Sequence, residues 1–308
     1  MKVLVVGKVP PPIGGVTVFT KRHAAELAKS NEVDVFSDFR MSSLLKLPFI
    51  IKKGKYDSVY IHSYKFIIIL SFIFFASRVS IVDHNQSSRN YHKSPNLWKV
   101  KCFLVHYFKE VLVVSDHLIN YYPEFIRSNI SVVSTFYPPT DDEVAECSIP
   151  DDILGYVNKG RFIVCTAWRL IFEEGKDLYG FDQAVELLKK LESRDVKINM
   201  IFCIGDSGYN SEYIEEIEKE ISEVGLEDKV IFWRNCPAAW ALFRFKGCIY
   251  FRPTLTDGNS VSIHEARYFG AKVLASNTVP RPDFVKTYDY PSVEDAFIKI
   301  RDILKLKG

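Results

Sequence analysis

The chain opens on Lys2–Gly7 (KVLVVG), a near-continuous apolar run closed by glycine, which is the pattern of a buried parallel strand entering a loop. Over residues 16–29 the apolar positions change to helical spacing, with Val16, Phe19, His23 and Leu27 near one face, and Glu32–Phe36 returns to a strand pattern. This is a βαβ unit. Further strands are predicted at Ser58–His62, Val79–Asp83, Val111–Val114 and Ile130–Ser134, separated by segments long enough for helices. Such alternation predicts a doubly wound α/β sheet covered on both faces, over residues 1–140.

Around Pro138, Pro139 and Pro150 the pattern weakens, and residues 141–160 read as a linker. It then restarts. Strands at Phe162–Thr166, Lys197–Ile204, Lys229–Trp233, Cys248–Phe251 and Lys272–Ala275 alternate with helices at Phe181–Leu191, Glu212–Val224 and Val261–Phe269, and a short helix is expected around Ala238. The expectation is a second α/β domain over 161–292, followed by a terminal helix in 293–308 packing back on the first domain. Two open α/β domains in tandem bind ligands outside the carboxyl ends of their strands, so a deep cleft between them is the expected site.

Charge divides the chain as the pattern does. Residues 1–140 carry 18 Lys and Arg against 9 Asp and Glu, a balance of +9, and the remainder carries 22 against 29, or −7. A basic half suits an anionic surface or a phosphate-bearing substrate, although a surface that is basic for solubility alone gives the same count. The same half holds Phe66–Ala76 (FIIILSFIFFA), too short to span a bilayer and expected as a core helix, with partial immersion in a membrane surface as the competing reading. No secretory leader pattern follows Met1, so a cytoplasmic protein is expected, with peripheral membrane association as a hypothesis. The six cysteines include no close pair, which points to reduced, mostly buried thiols rather than to zinc or disulfides.

Candidate chemistry lies in loops after strands. Lys8–Thr17 (KVPPPIGGVT) follows the first strand and opens a helix at Gly14 and Gly15, where free N–H groups favour a phosphate or a carbohydrate hydroxyl. It lacks the glycine spacing of nicotinamide-dinucleotide sites and the lysine of Walker-type ATP sites. Asp257 and Glu265 flank a second helix start at Gly258, Asn259 and Ser260, which suits a diphosphate, although Asn259 or Ser260 can equally be a helix cap and Glu265 a surface glutamate. His62 and His84 each close a strand of the first sheet, at the edge where doubly wound sheets bind ligands. His23, on the first helix, has no role that the sequence suggests.

Thr256–Gly270 (TDGNSVSIHEARYFG) resembles the E-x7-E region of the family-4 retaining glycosyltransferases, with aspartate in the first place. PPPIGG is similar to that family's glycine loop, Ile204–Gly205–Asp206 to its "GdG" strand end, AKVLASN to the strand after its motif helix, and TAWRLIFEEGK to its "GRL…KG" segment. The resemblance implies an α/β GT-B fold: two Rossmann-like domains facing each other across a deep cleft. It implies transfer of a hexosyl or related sugar, with retention and without metal or other cofactor, from a UDP- or GDP-sugar to a saccharide acceptor. A lipid-linked acceptor in bacterial surface polysaccharide synthesis, O-antigen or capsule, fits the basic first half, and nucleic acid is not an expected partner.

By the same resemblance Arg169 and Lys176 form a cationic clamp on the donor diphosphate, and His84 and Asp257 join them as catalytic candidates. Gly14, Gly15, Gly205, Gly258, Asn259, Ser260, Val261 and Glu265 then line the donor site, with His62 as a further sugar or acceptor contact. Chemistry independently asks for such cations, because a departing nucleoside diphosphate builds negative charge. Trp233 and Arg234 fall where family members cradle the base, with a core or rim aromatic as the alternative. Two other readings compete on the same fold: a non-catalytic nucleotide-sugar-binding or partner subunit, and a nucleotide-sugar epimerase or phosphorylase.

Overall fold

A computed structural model describes residues 1–11, 13–134, 136–257 and 259–306. The chain divides into two compact units, Met1–Thr140 and Asp141–Gly308. The first contains six parallel strands: β1 (Lys2–Val6), β2 (Glu32–Phe36), β3 (Ser58–Ile61), β4 (Val79–Asp83), β5 (Glu110–Val113) and β6 (Ile130–Val132). Their order is β2-β1-β3-β4-β5-β6. Val3, Leu4, Val5 and Val6 are all buried, because helices cover both faces of a parallel sheet, and each such side chain contributes roughly 1.5–3 kcal/mol.

The helices of this unit are α1 (Gly15–Ala28), α2 (Met41–Leu44), α3 (Leu47–Gly54), α4 (Phe66–Phe72), α5 (Gln86–Lys93), α6 (Pro95–Val105) and α7 (Glu124–Arg127). The apolar segment 66–76 divides by face. Ile68, Ile69 and Phe72 of α4 are fully buried, whereas Phe66 and Leu70 are exposed and Phe74, in the 3-10 turn that follows, is 92% exposed. No helix among the described residues is long and apolar enough to cross a membrane.

The second unit contains α8 (Asp141–Glu146), α9 (Asp151–Val157), β7 (Phe162–Ala167), a two-stranded hairpin β8 (Phe172–Glu173) and β9 (Lys176–Asp177), α10 (Phe181–Ser193), β10 (Asn199–Ile204), α11 (Ser211–Glu223) and β11 (Val230–Arg234). After these come β12 (Cys248–Arg252), α12 (Val261–Phe269), β13 (Lys272–Ser276), β14 (Lys286–Tyr288) and α13 (Val293–Leu304). The sheet order is β11-β10-β7-β12-β13-β14, all parallel. The reversal of strand order falls between β7 and β12 here, and between β1 and β3 in the first unit, and crevices outside the carboxyl ends at such points are where doubly wound sheets bind ligands.

One boundary expectation changes. The expected linker 141–160 is helical in part, and Ile153, Tyr156 and Val157 of α9 are buried in the second unit's core. Apolar residues at one-turn spacing outweigh the prolines that flank them. The terminal helix α13 packs on α10 of its own unit through Ala296, Phe297 and Ile300, with Lys190 bonded to Glu294 at 2.6 Å. The hairpin β8–β9 and the edge strand β14 carry no sequence pattern long enough to announce them. All six cysteines are free, and five of them are buried.

Candidate active site

In the second unit, β12 pairs with β7 only as far as Tyr250 opposite Val164, and the two strands part beyond that point. Side chains bridge the gap. Arg252 Nη1 donates to the Thr166 carbonyl at 3.3 Å, and the Tyr250 hydroxyl meets Thr166 Oγ1 at 2.8 Å and Ser262 Oγ at 2.6 Å. Ser262 in turn meets Ser260, the residue before α12, at 2.8 Å. A line of hydroxyls therefore joins the end of β7 to the start of α12, whose first N–H groups have no helical partner and attract anions. Gly270, with φ 87°, closes α12 in the left-handed conformation that glycine adopts freely.

Asp257 is the centre of this edge, though it is engaged differently from its sequence reading. Its Oδ2 accepts from Arg252 Nε at 3.2 Å and from Arg281 Nη1 at 3.0 Å. Arg281 is almost fully enclosed, with its other nitrogens on Thr254 Oγ1, the Ser276 carbonyl and Ser276 Oγ. Burial pushes the Asp257 carboxyl up, but the Coulombic pull of Arg252 and then Arg281 outweighs it and holds the group below its ordinary value. Two buried cations around one carboxylate leave a formal charge of +1 at the strand ends. Sequence reasoning missed both arginines. Arg252, which closes an otherwise apolar strand, was the available signal, whereas Arg281 lies in an irregular segment after β13 with no pattern to mark it.

Glu265 is buried, which removes the surface-glutamate alternative. Asn259 Oδ1 meets His264 Nε2 at 2.7 Å, Ser260 is buried at the helix start, and Val261 is the first helical residue. Gly258 lies outside the described residues. Gly205 follows β10, and a Cβ there would come 3.1 Å from the Trp168 carbonyl oxygen. That close backbone approach accounts for the glycine and brings the neighbouring Asp206 onto Arg169.

Arg169 Nη2 donates to Asp206 Oδ2 at 2.9 Å, and its guanidinium lies 3.7 Å from the Trp168 ring centroid and 4.6 Å from that of Tyr209, with Nε buried and unpartnered. Lys176 stands exposed on β9, and the two cations share no hydrogen-bond or ion-pair partner among the described residues. Trp233 is a core residue and Arg234 pairs with Glu218 at 2.6 Å, so neither shows a special base-binding disposition.

In the first unit the loop after β1 leads to Gly14, whose N–H donates to Thr17 Oγ1 at 3.0 Å while the Thr17 hydroxyl donates back to the Gly14 carbonyl at 2.9 Å. This exchange fixes the start of α1. A Cβ at Gly15 would meet nothing within 4 Å, so the packing of the domain does not itself require a glycine there.

Across the strand-order reversal stand three histidines. His62 Nε2 lies 3.2 Å from His23 Nδ1, and His62 Nδ1 lies 3.0 Å from His84 Nε2. His62 is therefore spent internally: its ring is buried and both its nitrogens face other imidazoles, so a sugar cannot be contacted through them. Because His62 uses opposite nitrogens, the rings form a line rather than a set converging on one metal position. His84, half-buried at the end of β4, keeps Nδ1 outside the line. Burial pushes His23 down to about 4 and His84 down to about 3, and it lowers His62 as well, helped by the neighbouring rings, so the line is uncharged at neutral pH.

Asp83, beside His84 in sequence, caps α5 through the N–H groups of Gln86 at 2.6 Å and Ser87 at 3.2 Å and accepts the Tyr122 hydroxyl at 2.9 Å. That fixes the turn which carries His84. His23 was invisible as a functional residue because helical spacing placed it on the buried face of α1 with Phe19 and revealed nothing of what faced it.

The chain matches no protein-family model and no curated protein by sequence. Solved structures are similar across nearly its whole length. Anabaena Alr3699/HepE, determined in complex with UDP and glucose, superposes with a TM-score of 0.72 at 16% identity, covering 99% of this chain and 90% of that one. A glycosyltransferase from Rickettsia africae gives 0.65 at 16%, covering 100% and 89%. The lipopolysaccharide outer core galactosyltransferase WaaB gives 0.61 at 14%, covering 99% and 90%. The fold of this chain, two parallel-sheet α/β domains, is that of the GT-B glycosyltransferases.

Proposed function

We propose that the protein transfers a sugar from a nucleotide-sugar donor to an acceptor hydroxyl. The observation that carries this reading is the buried, net-cationic edge formed by Arg252, Asp257 and Arg281 next to the start of α12, on a GT-B fold. A departing nucleoside diphosphate places its new charge where fixed cations and helix N–H groups stabilise it most, and such preorganised donors cost no rearrangement during the reaction. Glu265 is proposed to receive the ribose hydroxyls, and Arg169 and Lys176 to reach the diphosphate once the donor is bound.

Retention follows from the resemblance of Thr256–Gly270 to family-4 enzymes. Asp257 is committed to two guanidiniums, which favours attack on the face that the diphosphate leaves over a covalent intermediate on that carboxylate. In this reading Asp257 aims the cations and does not touch the sugar, while His84 Nδ1 meets the transferred sugar or the attacking hydroxyl. A UDP-sugar is the first donor to test, because HepE was solved with UDP and glucose. The reaction is proposed to need no metal, since the fixed cations supply the charge.

The acceptor is proposed to be a lipid-linked saccharide of a surface polysaccharide, met at the cytoplasmic face of the membrane. Exposed Phe49 and Phe74 stand on elements that also carry Lys52, Lys53 and Arg78, an apolar and basic combination suited to anionic lipid. Flotation with anionic vesicles at low salt, lost in a Phe49→Ser/Phe74→Ser variant, supports this, and absence of flotation removes it. For the reaction, a panel of nucleotide sugars is screened for a raised melting temperature and the best is followed by nucleotide release with acceptor present. Glu265→Ala and Lys176→Ala are expected to lower turnover, and unchanged turnover in both overturns the site assignment.

A further inference from the structure

The imidazole line has a property that none of its members has alone. A neutral imidazole carries one N–H and one lone pair, so each of the two contacts needs a donor on one side and an acceptor on the other. His62 contributes opposite nitrogens to its two contacts. If His62 donates from Nε2 it must accept at Nδ1, which makes His84 donate from Nε2 and leaves His23 with its proton on Nε2. All three rings are then Nε2–H. If His62 instead donates from Nδ1, His23 and His84 also carry their protons on Nδ1. Mixed arrangements place two lone pairs or two protons against each other in a buried space, where an unmade hydrogen bond is expensive.

We propose that His23 and His62 are positioning residues that set the tautomer of His84, the three rings acting as one hydrogen-bonded unit with two states. In one state His84 shows a lone pair at Nδ1, and in the other it shows an N–H. One proton gained at His84 Nδ1 and one lost from His23 Nε2 to water convert the first state into the second, while the protons between shift along the line and the total charge is unchanged. The inference rests on the reading of His84 as a substrate contact only for its functional consequence. A sugar hydroxyl that donates to Nδ1 selects the first state and one that accepts from it selects the second, so the ligand's preference is registered at His23, on another element of the sheet's cover.

The surroundings favour such coupling. The rings are packed by Phe19, which lies 4.7 Å from His84 and 5.7 Å from His62, centroid to centroid, and Tyr137 stacks on His23 at 5.5 Å. Tyr60 meets the edge of His23 at 5.0 Å. No carboxylate contacts the three rings among the described residues, so nothing nearby stabilises a fixed positive charge on one of them.

The test is nitrogen NMR of the full chain labelled at histidine, which distinguishes N–H from lone pair at each ring position. The expected result is that His23, His62 and His84 report the same tautomer, or the same ratio of the two. His62→Phe is expected to remove that agreement between His23 and His84. His23→Phe is expected to change the ratio at His84 although the two rings are not bonded, and His23→Asn, whose amide offers a donor or an acceptor near the Nδ1 position, to restore it.

Differing tautomers in the unaltered protein, or a His84 signal indifferent to His23→Phe, overturns the proposal. The unaltered protein alone decides the first point, so a variant that fails to fold does not leave it open. In turnover, His23→Phe is expected to lower kcat roughly 3- to 10-fold with KM for the donor nearly unchanged, and His23→Asn to recover most of the loss. If the tautomers behave as expected while turnover ignores every variant, the coupling stands and the assignment of His84 to the substrate is what fails.

Discussion

The two units solve the same topological problem with opposite electrostatics. Each reverses its strand order beside its first strand and gathers buried polar side chains at that edge. In the second unit the gathered groups are ions, Arg252 and Arg281 around Asp257, and the cluster keeps a net positive charge. In the first they are three imidazoles that burial keeps neutral. A fixed cation is worth most where a diphosphate develops charge, whereas a neutral donor-acceptor ring suits a sugar hydroxyl, which carries no charge and both donates and accepts. In the proposed reaction the charged edge is the one assigned to the diphosphate and the neutral edge the one assigned to a sugar hydroxyl.

The comparison breaks most readily at Asp257. Asp257→Ala leaves two buried guanidiniums facing each other without their carboxylate, and the expected loss is about 3–5 kcal/mol of stability, read from urea or thermal unfolding. A change below about 1 kcal/mol would mean that solvent reaches the cluster. Next comes the charge itself: Arg252→Met is expected to lower kcat by about 10²- to 10³-fold, measured as nucleotide release. The corresponding neutral change, His84→Phe, is expected to cost on the order of tenfold. Equal losses at the two edges would erase the division of labour.

Acid sharpens the contrast further. The folded pKa values of the histidine line lie below the ordinary 6.5, so the unfolded chain binds more protons than the native one as pH falls. Stability from these rings is present above about pH 6.5 and is lost on acidification toward pH 4, at up to about 1.4 kcal/mol per pH unit for each ring. His23→Phe should flatten that slope in unfolding measured between pH 7 and pH 5, and Asp257→Ala should not. The smallest expected effect is at the loop that opens α1. Thr17→Ala removes the side-chain partner of Gly14 and should cost about 1 kcal/mol, with no change in the pH slope.

Much of the fold is legible in the residues because strand and helix periods differ and a parallel sheet buries its strands on both faces. The runs at Lys2–Gly7 and Phe162–Thr166 announce their strands for that reason, and Val261–Phe269 announces its helix by spacing. The hairpin at Phe172–Asp177 escaped because two-residue strands have no period. An amphipathic terminal helix must be covered on its apolar face, and its sequence does not say by what; Phe297 and Ile300 pack against α10 of their own unit.

For the site, sequence alone determined which loops follow which strands, and so placed Gly14, His62, His84, Asp257 and Glu265 at carboxyl edges, where doubly wound sheets bind ligands. It could not say what each polar group faces. Asp257 meets Arg281 across 24 residues and His62 meets His23 across 39, separations over which no local pattern carries information. Hydrogen bonds and ion pairs act over about 3 Å and are fixed only when the chain has folded, so the pairings that turn a carboxylate into a holder of cations, and a core histidine into part of a proton line, belonged to the tertiary structure.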